Sequence, residues 1–341
     1  MNARETSARA YRFLTERRTP WRGWSDFELA PGESDHWVSA YIASAIFDGH
    51  REDARTIAKQ VWTWLIEQRQ PMRGWGYNAS TPHDADSTIW ALQLARRLGA
   101  SHWAPARDAA RLLRACERQD GGITTYPDDV EIRAFIHAPT QMSFHGWCSS
   151  HVCVSAAAAL LEPTSEALLK FLLERQRPDG SWRSYWWIED EYATALAARA
   201  IAARAPDAVE RAIRWGVGRV REDGSVRSDI APRGSAFACA LVIQLLLLRA
   251  DRQDVRHAIE HAVDWLVRHA RSDGSWQGCA GLRVPFPDML APDTYEGWKL
   301  GHRIEGAITL DQNNLFTTAT ALRALDAWTT SQITNHEEAA R

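Results

Sequence analysis

Asp84-Ala85-Asp86-Ser87-Thr88 places two carboxyls two residues apart at the head of a helix-like run. Aspartate and serine are favoured helix caps, so one of the two acids has a structural use. One cap needs one acceptor, which leaves the other carboxyl available. Acids this close can share a proton, and repulsion between their charges keeps one of them protonated. The chemistry on offer is proton donation, with Asp86 and Asp84 as the acids and His83 beside them to orient or recharge the donor.

Other reactive side chains are placed less tellingly. Glu189-Asp190-Glu191 gathers three acids at another helix entry, where capping and the helix dipole explain them. His145, Cys148, His151 and Cys153 are metal-ligand types, but no second ligand pair stands at usable spacing, so no metal site is expected. Asp128-Asp129-Val130-Glu131 is a conceivable magnesium contact without the usual aspartate-rich spacing, and reads as a solvated loop. Arg22, Arg73, Arg183, Lys299 and Arg303 are candidates to hold a diphosphate, in which case Mg2+ would accompany it.

The elements that must position these groups repeat. Six turns end at Trp24, Trp75, Ile123, Trp182, Val226 and Trp276, at steps of 51, 48, 59, 44 and 50 residues. Eleven residues before each stands a large apolar residue: Phe13, Trp64, Leu112, Phe171, Trp215 and Trp265. Each of those lies in a run with helical apolar spacing. After each turn comes a second helical run rich in small residues, at 38–43, 87–92, 151–161, 192–203, 235–248 and 316–325. The first set is amphipathic and faces solvent; the second is apolar all round and must be buried. Two helices in each of six units predict an all-α fold, one (α/α)6 barrel spanning residues 1–341 as a single domain. No strand pattern or linker interrupts it.

In such a toroid the inner helices run parallel, and their N-termini ring one mouth. Two stretches at that end, 123–146 and 277–310, are longer than a repeat requires. The second carries Trp298, Lys299, His302, Arg303 and Glu305 and reads as a lid.

The chain has 341 residues, of which 17 are Trp, in an otherwise ordinary composition with 45% hydrophobic and 24% charged residues. Trp24, Trp75, Trp182 and Trp276 sit at the repeat turns and read as braces between helices. Trp37, Trp90, Tyr185, Trp186, Trp187, Tyr192 and Trp298, with Thr88, are the candidates to line a binding cavity. A net charge of −3 offers no basic field for nucleic acid. No apolar run reaches the roughly 18 residues of a membrane span, and the N-terminus has no apolar secretion core. Five cysteines, odd in number and unevenly spaced, fit reduced thiols in a cytoplasm. Arginine so outnumbers lysine (only Lys59, Lys170 and Lys299) that a GC-rich bacterial source is expected.

The segment Phe171-Leu172-Leu173-Glu174-Arg175-Gln176-Arg177-Pro178-Asp179-Gly180-Ser181-Trp182 resembles the repeat of squalene–hopene cyclases, oxidosqualene cyclases and class II terpene cyclases, as does 265–276. Residues 84–92 resemble the Asp-x-Asp-Asp-Thr acid motif of those enzymes. By that likeness Asp86 is the proton donor, Asp84 its carboxyl neighbour and Thr88 the motif threonine, with Ser87 where the family has a fourth-position aspartate. Those enzymes build their pocket with two barrels, and this chain has one. Either a partner, such as a second copy in a homodimer, or the 277–310 lid would complete the pocket. The resemblance implies an acid-initiated cyclase or isomerase of a prenyl or other apolar substrate, with aromatic walls steering the carbocation and no redox or metal cofactor. Two other readings share the barrel. One is a glycoside-active enzyme pairing Asp84 or Asp86 with Glu189 or Glu191. The other is a non-catalytic barrel that binds a lipid or a partner.

Overall fold

The computed structural model describes residues 2–69, 73–161, 164–301 and 305–339. Six outer helices, α1 (Ala3–Glu16), α3 (Ala54–Gln68), α5 (Ala104–Ala115), α8 (Glu166–Glu174), α10 (Pro206–Arg219) and α12 (Gln253–His269), alternate along the chain with six inner ones. The inner set is α2 (His36–Asp48), α4 (Ala85–Arg97), α7 (Val152–Ala158), α9 (Asp190–Ile201), α11 (Ala236–Leu246) and α13 (Leu315–Ala339). Each inner helix packs on the next, and α13 returns to α2 to close the ring. This is the expected (α/α)6 barrel. Polarity sorts the two sets: every residue of α11 is buried, whereas α5 buries only Ala106 and Ala109.

The repeat turn explains why tryptophan and glycine recur. The indole N–H of Trp24, Trp75, Trp182 and Trp276 donates to the carbonyl of Leu14, Leu65, Leu172 and Leu266, always ten residues back, at 2.6–2.9 Å. Their backbone N–H groups donate to a hydroxyl on the following inner helix: Ser39, Thr88, Thr194 and Thr318. One residue thus ties the end of an outer helix to the start of an inner one. Gly180 sits at φ +96°, and a Cβ there would lie 2.3 Å from the Arg211 carbonyl of the next outer helix. Any side chain at that position would push neighbouring repeats apart.

Strands were not expected, yet there are five among the described residues. β1 (Asp26–Leu29) and β2 (Gly32–Ser34) form a hairpin. β3 (Gly281–Val284), β4 (Lys299–Leu300) and β5 (Ala307–Leu310) form a sheet in the order β3-β5-β4. Strands of two to four residues are too short to print a period of two on the sequence. The long segment 277–310, which carries β3, β4 and β5, is tied down over the mouth. Trp147 donates its indole N–H to the Pro285 carbonyl at 2.9 Å, and Tyr185 its hydroxyl to the Met289 carbonyl at 2.8 Å. The other long stretch holds a short thirteenth helix, α6 (Val130–Phe135).

Aromatic rings fill the barrel below the mouth. Trp187 stacks on Phe316 (centroids 5.2 Å apart, planes at 11°) and on Tyr192 (4.8 Å, 28°). Tyr41 stacks on Phe316 and meets Trp90 edge-on, while Phe237 packs against Trp187. Pairs of this kind add about 0.5–1.5 kcal/mol each beyond their buried area. The plug separates the two ends of the barrel.

Candidate active site

α4 begins at the mouth. Its N-cap is Asp84, in extended backbone conformation, which receives the Ser87 N–H on Oδ1 at 2.7 Å and the Ser87 hydroxyl on Oδ2 at 2.8 Å. Asp84 is therefore the cap, with a donor on each oxygen. Asp86 lies in the first turn of the same helix, and its Oδ1 is buried without any hydrogen-bond partner. Burial pushes both carboxyls up, to about 7 in each case; the charge of Asp84 adds to the rise at Asp86, whereas donated hydrogen bonds oppose it at Asp84. The donors decide between them. Hydrogen bonds to Asp84 favour its ionised form, and no hydrogen bond does so for Asp86 Oδ1. With its Oδ1 unpartnered, Asp86 is the better placed of the two to hold a proton.

Both acids open into a cavity at the mouth, whose empty space with the adjoining solvent is about 830 Å3. Its aromatic wall is Trp37, Tyr77, Tyr126, Phe135, Trp147 and Trp186; Leu282 and Val284 of β3 close one side. Trp147 and Trp186 are tilted against each other with centroids 5.9 Å apart. Trp186 is held by its edge, donating its indole N–H to Thr125 Oγ1 at 2.7 Å. Thr125 Oγ1 in turn lies 2.8 Å from His151 Nδ1, and His151 Nε2 lies 2.8 Å from the Gly146 carbonyl. A carbonyl can only accept, so the proton of His151 is on Nε2 and Thr125 donates to Nδ1. Burial pushes His151 down to about 3, which keeps it neutral. Its bonds are spent on the wall, and with its neighbours it forms no metal centre: among the described residues no group of three or more His, Cys, Asp or Glu is placed to hold an ion.

Of the residues singled out in the sequence, the cavity gathers Asp84, Asp86, Trp37 and Trp186. The rest lie elsewhere. Thr88 is fully buried and bonded to both the N–H and the carbonyl of Trp75, the structural position that Ser39 and Thr194 occupy in other repeats. Trp187 and Tyr192 belong to the plug, and Trp90 donates its N–H to the Tyr192 hydroxyl at 3.1 Å from the plug's far side. Tyr185 stacks on His151 behind the wall, and Trp298 donates to the Pro292 carbonyl within the long segment. His83 turns away from Asp86 into a side recess, where its Nδ1 lies 3.3 Å from Glu131.

The candidate diphosphate ligands do not converge. Arg22 faces Asp35 at 3.9 Å, Arg73 binds Glu131 at 2.6 Å, Arg183 faces Asp293 at 3.3 Å, and Lys299 is exposed on β4. His302 and Arg303 lie outside the described residues. No glycosidase-like pair forms in the cavity either: Glu191 is bound by Arg219 at 2.7 Å, and Glu189 accepts from the Gly281 N–H at 3.1 Å. Tyr77, Tyr126, Phe135 and Trp147 were missed. They stand on turns and on the 123–146 stretch, where no periodicity assigns a side chain to a face.

An aromatic cavity with a buried carboxyl pair, at the mouth of a closed double ring of helices, defines an acid-bearing α/α barrel. Residues 83–291 match the squalene–hopene cyclase C-terminal domain, and the chain belongs to that family. It is similar over 95% of its length to the type II terpene cyclase MstE from Scytonema, at 36% identity, a TM-score of 0.91 and 97% of that chain covered. That enzyme is also seen with geranylgeranyl dihydroxybenzoate as substrate and with merosterolic acid A as product. The squalene–hopene cyclase of Zymomonas mobilis is 29% identical over a stretch covering 75% of this chain and 46% of that protein. The copalyl diphosphate synthase of Streptomyces anulatus is 34% identical over 89 residues, 25% of this chain and 16% of that protein. The chain spans less than half the length of these last two relatives. No helix among the described residues is long and apolar enough to cross a membrane.

Proposed function

We propose that this chain is an acid-initiated type II terpene cyclase acting on a prenyl chain, with Asp86 as the proton donor. The observation that carries the reading is the unpartnered, buried Oδ1 of Asp86 in a carboxyl that opens into an aromatic cavity. The Asp86 O–H bond breaks as its proton adds to the less substituted carbon of an alkene, leaving a tertiary cation on the other. A second alkene of the same chain attacks that cation, a C–C bond closes the ring, and the charge moves one unit along. Loss of a proton from carbon ends the sequence, and a proton returned to Asp86 restores the acid. The product is an isomer of the substrate.

The faces of Trp37, Tyr126, Trp147 and Trp186 stabilise the moving charge, by about 2 kcal/mol or more for a desolvated cation on a good face. The long segment tied over the mouth keeps water from quenching it. Nothing in this initiation uses a metal. The substrate we favour is a geranylgeranyl chain carrying a polar aromatic head, as in the MstE complexes, with the head toward the open mouth. The diphosphate alternative is weaker, because Arg22, Arg73 and Lys299 do not surround the cavity.

The assay is incubation with geranylgeranyl dihydroxybenzoate, geranylgeranyl and farnesyl diphosphates, and squalene, first in EDTA and then with Mg2+. A cyclised isomer of the prenylated aromatic, formed in EDTA, is expected. Product from geranylgeranyl dihydroxybenzoate or squalene that forms only with Mg2+ would contradict metal-free acid initiation.

The pH profile follows from the same geometry. Asp86 acts when protonated, so turnover is full on the acid side and falls as pH rises through about 7. Asp84→Asn removes the neighbouring charge but leaves the larger effect, burial, in place. The alkaline limb should therefore move down by about one unit and no further. A limb that stays in place would mean that Asp84 does not tune the donor.

A further inference from the structure

The end of the barrel opposite the acid pair is lined by arginines. Two adjoining recesses there, of about 750 and 1050 Å3, share Asp48, Arg199 and Arg323, and the first also takes in Arg96, Arg97 and Trp90. Asp48, Arg96, Arg97 and Arg199 come from the last turns of inner helices and Arg323 from within α13, and the aromatic plug lies between the recesses and the cavity above.

The charges in this well do not balance. Asp48 is the shared acid, and it already serves two cations: Arg97 binds it in fork geometry at 2.8 and 3.0 Å, and Arg323 Nε stands 3.3 Å away. The helix-end carbonyls are served too. Arg97 donates to the Gln93 carbonyl, Arg323 to that of Tyr41, and Arg96 to that of Leu160. In the second recess Asp326 is taken by Arg51 at 2.7 Å. Arg199 is left over. Among the described residues it makes no hydrogen bond or ion pair, although it borders both recesses. Burial and the charges of Arg323 and Arg97 push it down to about 10, the mark of a cation held among cations. Arg199 is only partly covered, and its five donors in a planar fork suit a tetrahedral oxyanion.

We propose that this well is a second ligand site, which binds a small phosphate-type oxyanion between Arg199, Arg323 and Arg97. The site is separate from the acid cavity and would exist whatever the chain's substrate. Phosphate oxygens would take the free N–H donors of Arg199 and the outer donors of Arg323, and so offset the repulsion among the three cations.

The test compares wild type with Arg199→Gln by thermal unfolding in a buffer free of phosphate, then with inorganic phosphate or diphosphate added. Chloride controls match the ionic strength. Wild type should gain about 4 °C once either anion reaches about a hundred times its dissociation constant, and the gain should go on rising with the logarithm of ligand concentration. Arg199→Gln should lose that gain, yet melt at or above wild type without phosphate, since a cation among cations has been removed. Calorimetric titration should give one site per chain. A stronger response to diphosphate would assign the well to a diphosphate-bearing ligand, and an equal response to a single phosphoryl group. Two results would overturn the proposal: a gain that chloride reproduces, or an Arg199→Gln protein that melts lower in both buffers and keeps the phosphate response. In either case Arg199 would be serving the fold alone.

Discussion

Asp86→Asn should lower turnover by at least about 10^3-fold, because general-acid groups contribute 10^2 to 10^4 and no second acid is free at the cavity wall. Asparagine keeps the size of the side chain and withholds the proton. The same substitution should leave the fold intact and make it more stable in alkali. Burial holds Asp86 at about 7 in the folded chain, against about 3.9 when unfolded. A carboxyl raised in this way leaves the fold unpenalised below pH 4. Its cost grows as pH rises from 4 to 7 and then stays constant. The variant escapes that cost, so its melting temperature should exceed wild type by about 2–4 °C at pH 8 and match it near pH 4. Melting curves at the two pH values, beside a product assay, test both halves. An inactive variant that melts lower at both would show Asp86 to be a structural residue.

Trp182→Ala should destabilise the chain by about 3–5 kcal/mol. The side chain is fully buried, and its loss opens a large hole between an outer and an inner helix. It also strips the Leu172 carbonyl of its 2.6 Å hydrogen bond. Trp182→Phe separates the two contributions. It refills most of the hole but not the bond, and should cost about 1–3 kcal/mol for the carbonyl left bare. Denaturant unfolding of both variants measures the difference. A Trp182→Phe protein as stable as wild type would mean that the hydrogen bond at the repeat turn contributes nothing.

The repeat was legible because its turn has demands that few residues meet. An indole must reach a carbonyl ten residues back, and at Gly180 only a glycine fits under the next helix. The acid pair was legible because both carboxyls and their donor, Ser87, lie within four residues. The cavity was not, since its wall is assembled by tertiary path. Tyr126 reaches it from the first long stretch, Trp147 from just beyond that stretch, and Leu282 from a sheet too short to announce itself. Residue type alone put Trp90, Trp187 and Tyr192 in the wall. Their place along the barrel axis, which puts them in the plug, depends on how far each inner helix has descended when it meets its neighbours. Thr88 sits at the motif position, but hydrogen bonding to Trp75 uses its hydroxyl. The arginine well was hidden for another reason. Each of its cations is an unremarkable helix arginine until the ring closes and brings them together.

Acid initiation itself is tested most directly by running the reaction in deuterium oxide. The exchangeable proton of Asp86 is then deuterium, and the account predicts a cyclised product one mass unit heavier than its undeuterated counterpart. The label should sit on a carbon of the alkene at which cyclisation begins. A product without deuterium on carbon would mean that no protonation step starts the reaction, and the role given to Asp86 would fall with it.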